Sequence, residues 1–269
     1  MGRVKGKVVV VTGAAGGQGA AEALALAEAG ATVIAADLQQ DSPEWLDGDR
    51  RDIVYRRMDV ARPEGWAALG AELAAEHGRV DGLVNNAGVA FRARLEEVEL
   101  ADWDRVLAVN LTGALLGIQA LAPLMRAGGS IVNISSVAGL TGHFAAAYTV
   151  SKWALRGLSR VASLELGPRG IRVNTICPGY IETAMTASAP DAFRVANIAE
   201  TPLGRTGTVD EVAPLVVYLI SDESAYVSGA EIAVDGGQTA HGGVKSLSDA
   251  VRAATTRPGE PGVESKGDR

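Results

Sequence analysis

Tyr148 and Lys152 stand four residues apart in the stretch GSIVNISSVAGLTGHFAAAYTVSKWALRGL, which runs from Gly129 to Leu158. Ala154, Leu155 and Leu158 continue a helical pattern, and on a helix that spacing puts phenol and ammonium on one face. Ser135 and Ser136 come earlier, directly after Ile131 to Ile134, an apolar run that reads as a buried strand. A hydroxyl, a phenol and an amine can therefore meet at the mouth of one strand. The chemistry this favours is proton transfer to or from an oxygen on carbon. A phenol has an unperturbed pKa of about 10, and a nearby ammonium favours the phenolate and lowers it. In that reading Tyr148 is the acid/base, Lys152 its electrostatic partner, and Ser136 the donor that orients the substrate oxygen. The spacing alone also describes a solvated lysine beside a half-buried tyrosine, so the surrounding elements must decide.

Those elements read as alternating strands and helices. Lys7 to Thr12 is a strand buried on both faces, and it runs into Gly13-Ala-Ala-Gly16-Gly17-Gln18-Gly19 and then an Ala-rich helix, Ala20 to Ala29. Strand, glycine turn and helix in that order predict a dinucleotide site, although a plain glycine-rich turn is the bland alternative. Gly13 permits the tight turn, while Gly17 and Gly19 let a pyrophosphate approach the helix N-terminus, where free N–H groups favour an anion. A second strand, Thr32 to Ala36, ends in Asp37, 18 residues beyond Gly19. A carboxylate there can accept hydrogen bonds from an adenosine ribose and repels a 2′-phosphate. Leu38 rather than a basic residue follows it, so NAD(H) is expected over NADP(H).

Ile53 to Met58 is a third strand closed by Asp59-Val60, Arg62 to His77 a helix, and Val80 to Val84 a fourth strand ending in Asn85-Asn86-Ala87-Gly88. Small and amide residues there let a ribose or flat ring lie against the backbone, and tying strands together is an equal reading for Asn85. Asp102 to Arg126 reads as one long helix whose apolar face is interrupted by Asn110 and Thr112. Ile171 to Ile176 is a strand followed by Cys177-Pro178-Gly179-Tyr180-Ile181-Glu182-Thr183. Residues 183–206 are irregular, which predicts a flexible lid or an exposed loop. A helix over Val209 to Ile220, a strand over Ala230 to Val234 and a short helix over Val244 to Ala254 follow. Thr255 to Arg269, rich in Pro, Gly and charge, is expected to be a disordered tail. The pattern predicts an α/β fold: one doubly wound parallel sheet of about seven strands with helices on both faces. It places the domain at residues 1–240 and an extension, partly disordered, at 241–269.

Composition narrows the partners. A net charge of -7 argues against nucleic acid or an anionic membrane surface. One cysteine, Cys177, excludes an internal disulfide and fits a reducing compartment. The N-terminus has no signal-peptide pattern, and no apolar run approaches the ~20 residues of a membrane span. A cytoplasmic protein is expected. No His spacing suggests a metal site.

Taken together the motifs closely resemble the short-chain dehydrogenase/reductase family: TGAAGGQG at Thr12 to Gly19, NNAG at Asn85 to Gly88, Asn110 on its helix, Ser136, YTVSK at Tyr148 to Lys152, Pro178-Gly179 with Thr183, and DGG at Asp235 to Gly237. The match covers about Gly6 to Gly237. It implies a Rossmann-type fold and a catalytic tetrad of Asn110, Ser136, Tyr148 and Lys152, with Lys152 also binding the nicotinamide ribose and Asn110 holding a water. It implies adenine contacts from Asp59 and Val60, ribose contacts near Asn86, and a carboxamide contact from Thr183. Gln18, Leu38, Ala87, Gly88, Pro178, Gly179 and Ile181 complete the implied NAD(H) site. Within the family the chain looks most like NAD-dependent hydroxysteroid dehydrogenases of the 3α,20β type, through GSIVNISS, SKWALRGLS, ELGPRGIRVN and SGAEIAVDGG. The implied substrate is a small hydrophobic alcohol or ketone, met by Ser136, Val89, Phe91, Val137, His143, Tyr180 and Met185. The implied assembly is a homotetramer. An acyl-carrier ketoreductase and a cofactor-binding regulator without turnover are the rival readings.

Overall fold

The structure is a computed structural model and describes residues 2–46 and 52–255. Its strands are β1 (Val8–Thr12), β2 (Thr32–Asp37), β3 (Ile53–Arg57), β4 (Gly82–Asn85), β5 (Ser130–Ile134), β6 (Arg172–Pro178) and β7 (Glu231–Val234). They form one sheet in the order β3-β2-β1-β4-β5-β6-β7, and every pairing is parallel. The order reverses between β1 and β4, and the crevice outside the strand carboxyl ends at such a reversal is where ligands bind in open α/β sheets.

Parallel strands covered by helices on both sides lose the apolar/polar alternation of a half-exposed sheet. All of VVVVT in β1 is buried for that reason. Side chains still alternate between two cores. Val9 and Val11 join Leu26, Val216 and Leu219 under helices α1 (Gly17–Glu28) and α8 (Val209–Ile220). Val10 joins Ile34, Trp66, Leu83 and Ile131 on the opposite face, under α2 (Pro63–Glu76) and the helices that follow. Trp66 is 2% exposed and its indole N–H donates to the Val60 carbonyl at 2.9 Å, so the largest side chain of this core is also polar-satisfied.

Three expectations are corrected. The segment read as one helix from Asp102 to Arg126 is α3 (Leu100–Leu107), a π turn (Ala108–Thr112), α4 (Gly113–Leu121) and a closing 3₁₀ turn (Ala122–Leu124) containing Pro123. The π turn sits where Asn110 interrupts the apolar face: its buried amide needs partners, and a wider turn brings it to them. This composite segment, Leu100–Leu124, is also long and apolar enough to cross a membrane by length and composition, contrary to the sequence reading. It packs instead with Val106, Ala114, Ile118 and Leu121 buried. Finally, residues 183–206 are not irregular. They hold α6 (Ala184–Ala187) and α7 (Asp191–Glu200). Thr183 starts α6 with a reciprocal capping box to Thr186, a signal present in the sequence as Thr-x-x-Thr but outside the usual Glu or Gln pattern. The short helix expected near the end is α9 (Lys245–Thr255). The expected tail beyond it lies outside the described residues.

Candidate active site

The glycine turn leaves β1 and enters α1 at the reversal point. Gly13 has φ +69°, and a Cβ there would sit 2.7 Å from Ala87 Cα, so only glycine lets the turn pass under the end of β4. Gly19 has ordinary φ, yet a Cβ would stand 2.2 Å from the Gly13 carbonyl oxygen, and the helix could not close on the turn. Around Gly16, by contrast, the space is open, and α1 begins there with no side-chain cap. The first N–H groups of α1 thus face an open cradle suited to a diphosphate. Asp37 ends β2 beside it: one carboxylate oxygen accepts from Ala15 N–H at 2.9 Å and the other from Gln39 N–H at 3.2 Å. Asn86 spans the turn from the other side, its amide donating to Thr12 O at 2.9 Å and Gly13 O at 3.2 Å. Asn85 points into the sheet and donates to Asn133 Oδ1 at 2.8 Å, which makes it the strand tie that was one of its two readings.

Helix α5 (Ala146–Leu166) begins past the end of β5 and brings Tyr148 and Lys152 to the same crevice. Ser135 and Ser136 separate in role. The Ser135 hydroxyl donates to the Lys152 carbonyl at 2.9 Å and is committed to anchoring α5. Ser136 caps the next turn, accepting from Ala138 N–H at 3.1 Å, and its hydroxyl favours the Tyr148 phenolate. Lys152 is 4% exposed and its ammonium donates to the Ile134 carbonyl at 2.8 Å. Burial brings it down to about 8.

The electrostatics correct the sequence reading. Burial raises the Tyr148 phenol above its ordinary value, and what pulls the other way is the Ser136 hydrogen bond and then the charge of Arg92, not Lys152. The lysine ammonium lies 5.7 Å from the Tyr148 ring centroid and donates one of its three N–H groups to the backbone of β5. In the protein alone the phenol is therefore held protonated at neutral pH.

One cleft of about 360 Å³ gathers these groups. It is lined by Gly13, Gly17, Gln18 and Gly19 of the turn, by Asp37, Asn86 and Gly88, by Ser136, Tyr148 and Lys152, and by Pro178, Gly179, Ile181, Thr183 and Met185 past β6. Gly16 of the turn and Ser135, the other serine of the pair, also line it, as do Ile134, Ala184 and Thr186, which were not singled out in the sequence; α6 brings in the last pair. Asn110, Val60 and Ala87 instead border a void of about 10 Å³ behind the cleft. Asn110 accepts from Val89 N–H at 2.8 Å and donates to Val89 O and Ser151 Oγ, both at 3.0 Å, so its side chain holds the loop after β4.

Other expected contacts fall elsewhere. Leu38 is 61% exposed, and Asp59 turns back to accept from Ala61 N–H at 2.9 Å. Val137 does not line the cleft. Tyr180 is turned away, its hydroxyl donating to Thr186 O at 3.2 Å and its ring 5.8 Å from that of Phe193. His143 stacks on Phe144 at 4.5 Å and meets Phe193 edge-on at 5.9 Å. Tyr180 and His143 thus support α7 from below instead of facing the cleft, because aromatic packing under that helix competes for them.

Known proteins resemble this chain over most of its length. The family model described as enoyl-(acyl carrier protein) reductase matches residues 13–239. The trans-4-hydroxycyclohexanecarboxylate dehydrogenase of Sinomonas cyclohexanicum is 41% identical over 250 residues, covering 88% of this chain and 95% of its own. The 3-alpha-(or 20-beta)-hydroxysteroid dehydrogenase of Mycobacterium bovis is 44% identical over 243 residues, covering 89% and 92%. The 3-oxoacyl-(acyl-carrier-protein) reductase of Thermotoga maritima is 39% identical over 242 residues, covering 87% and 98%.

Proposed function

Because this chain belongs to the short-chain dehydrogenase/reductase family and is an oxidoreductase of secondary alcohols and ketones, we propose that it interconverts a hydrophobic ring alcohol, such as a hydroxysteroid or a hydroxycyclohexane, and its ketone with NAD(H). One observation carries the reading: Ser136, Tyr148 and Lys152 line the same cleft as the glycine turn and Asp37. When bound, the nicotinamide supplies the two-electron acceptor or donor for hydride at the carbinol carbon.

The open cradle at Gly16 and the free N–H groups of α1 suit its pyrophosphate, and Asp37 suits the hydroxyls of the adenosine ribose. Asn86 and Gly88, which line the cleft, would flank the cofactor from the end of β4. Lys152, Pro178, Gly179, Ile181 and Thr183 would hold the nicotinamide half. Ser136 orients the substrate oxygen, and Tyr148 gives a proton to it in reduction or takes the hydroxyl proton in oxidation. Lys152 holds a positive charge behind the phenol, and Asn110 fixes the loop that closes the back of the site. A reducing compartment, the cytoplasm, suits the lone Cys177, and assembly as a homotetramer suits the apolar face of α5 described below.

The raised Tyr148 phenol gives the pH dependence a sign. The protonated form that serves ketone reduction dominates at neutral pH, so kcat/KM for reduction should fall, and for alcohol oxidation rise, as pH climbs through the alkaline range. Tyr148→Phe removes the proton altogether. Turnover should drop by about 10²–10⁴-fold while NADH binding, followed by fluorescence titration, stays near wild type; retained turnover refutes the assignment. Steady-state comparison of the two dinucleotides should favour NADH over NADPH. The reverse preference would move the reading to the acyl-carrier ketoreductase.

A further inference from the structure

Arg92 lies half-buried in the loop after β4, next to the cleft though not itself among the residues that line it. Its guanidinium donates to the Met185 carbonyl at 2.9 Å and to Ser188 Oγ at 3.2 Å, and it lies over the Phe193 ring at 6.0 Å. Met185 and its neighbour Thr186 line the cleft, so the cation is clamped to the cleft wall itself. Two other half-buried arginines, Arg56 and Arg156, each sit on a carboxylate, Glu72 and Glu231. Arg92 pairs with no carboxylate among the described residues, and its two hydrogen bonds leave three of five guanidinium donors over. Its field reaches the chemistry, for it pulls down both Tyr148 and His143.

We propose that Arg92 recognises a carboxylate carried by the substrate, away from the carbinol carbon, so that the preferred substrates are hydroxy and oxo acids on an apolar ring. The inference rests on the oxidoreductase reading above and names its substrate class. The spare N–H groups form the planar fork that takes a carboxylate bidentately, and the apolar Met185 side chain beside it favours a hydrocarbon ring. With one end held by Arg92 and the carbinol oxygen by Ser136 and Tyr148, such a molecule has a single orientation in the cleft.

The test compares 4-hydroxycyclohexanecarboxylate with its methyl ester, which keeps ring and carbinol and removes the charge. In the wild-type enzyme kcat/KM should favour the acid at least tenfold, and the preference should shrink as sodium chloride is raised. Arg92→Gln should bring the acid-to-ester ratio to about one, and Arg92→Lys should restore part of it. Should Arg92→Gln fail to fold, inhibition of the wild-type enzyme decides: cyclohexanecarboxylate should compete with substrate at least tenfold better than cyclohexanecarboxamide. An ester used as well as the acid, an unchanged ratio in Arg92→Gln, or equal inhibition by acid and amide overturns the proposal while leaving the oxidoreductase reading standing. Failure of acid, ester, cyclohexanol and a hydroxysteroid alike to reduce NAD overturns both.

Discussion

Glu22 is a carboxyl in the wall of α1 with no exposure to solvent. One oxygen accepts from Gln18 Nε2 at 2.8 Å, and the other has no partner. Burial therefore pushes it from 4.5 up to about 8. In the folded chain it is neutral at pH 7, and in the unfolded chain it is ionised. The stability that comes from keeping the proton is complete below pH 4.5 and is lost as pH rises through about 8. Glu22→Gln keeps the shape and the bond to Gln18 without an ionisable proton. It should leave stability nearly unchanged at pH 4.5 and raise it by an amount on the order of 3 kcal/mol at pH 7. Urea unfolding of both proteins across that range checks this, and parallel curves would show that the carboxyl is not held neutral. The same contest between burial and partners governs Tyr148 and Lys152. Their four-residue spacing is legible in the sequence, but the direction of each proton is not, because desolvation depends on what packs over the pair.

At the scale of elements, Asn110 shows how one polar residue shapes a helix. Its three hydrogen bonds tie the π turn to Val89 and Ser151, which belong to the loop after β4 and to α5. Asn110→Ala would leave Val89 N–H without its acceptor inside the protein, at a cost of about 1–3 kcal/mol. The Val89 amide should then exchange with deuterium markedly faster than in the wild type, and an unchanged rate would show that the loop is held by other contacts. The interruption was visible as an amide on an apolar face. The π turn was not, since it follows from where Val89 lies in space. Helices α6 and α7 were missed for a related reason. Helices of four and ten residues carry little periodicity, and α7 is held by Tyr180, His143 and Phe193 meeting across the fold.

On the scale of the whole molecule, α5 turns a second face outward. Val150, Trp153, Val161 and Leu164 are 43%, 46%, 53% and 79% exposed and follow one another at helical spacing, with Gly157 leaving open space between them. Monomeric proteins seldom expose a continuous apolar stripe of this kind, and it suits self-association about a two-fold axis. Light scattering should give a multiple of the 27.7 kDa chain mass, and Val161→Glu with Leu164→Glu should lower it while the circular dichroism spectrum is kept. A monomeric wild type would remove the tetramer reading.

The sequence by itself determined seven strand segments along the chain, the glycine turn and the residues brought to its mouth. These are local properties: β-branched runs of strand length, and backbone positions where a Cβ at Gly13 or Gly19 would collide. Tertiary structure decided which way the charges lean. Lys152 is buried and donates to the Ile134 carbonyl, Ser135 gives its hydroxyl proton to the backbone while Ser136 only accepts from it, and Arg92 stands beside the cleft without a counter-charge. Each outcome depends on burial and on partners 17 to 93 residues away in the chain, and no spacing along a sequence encodes how much water a folded neighbour removes.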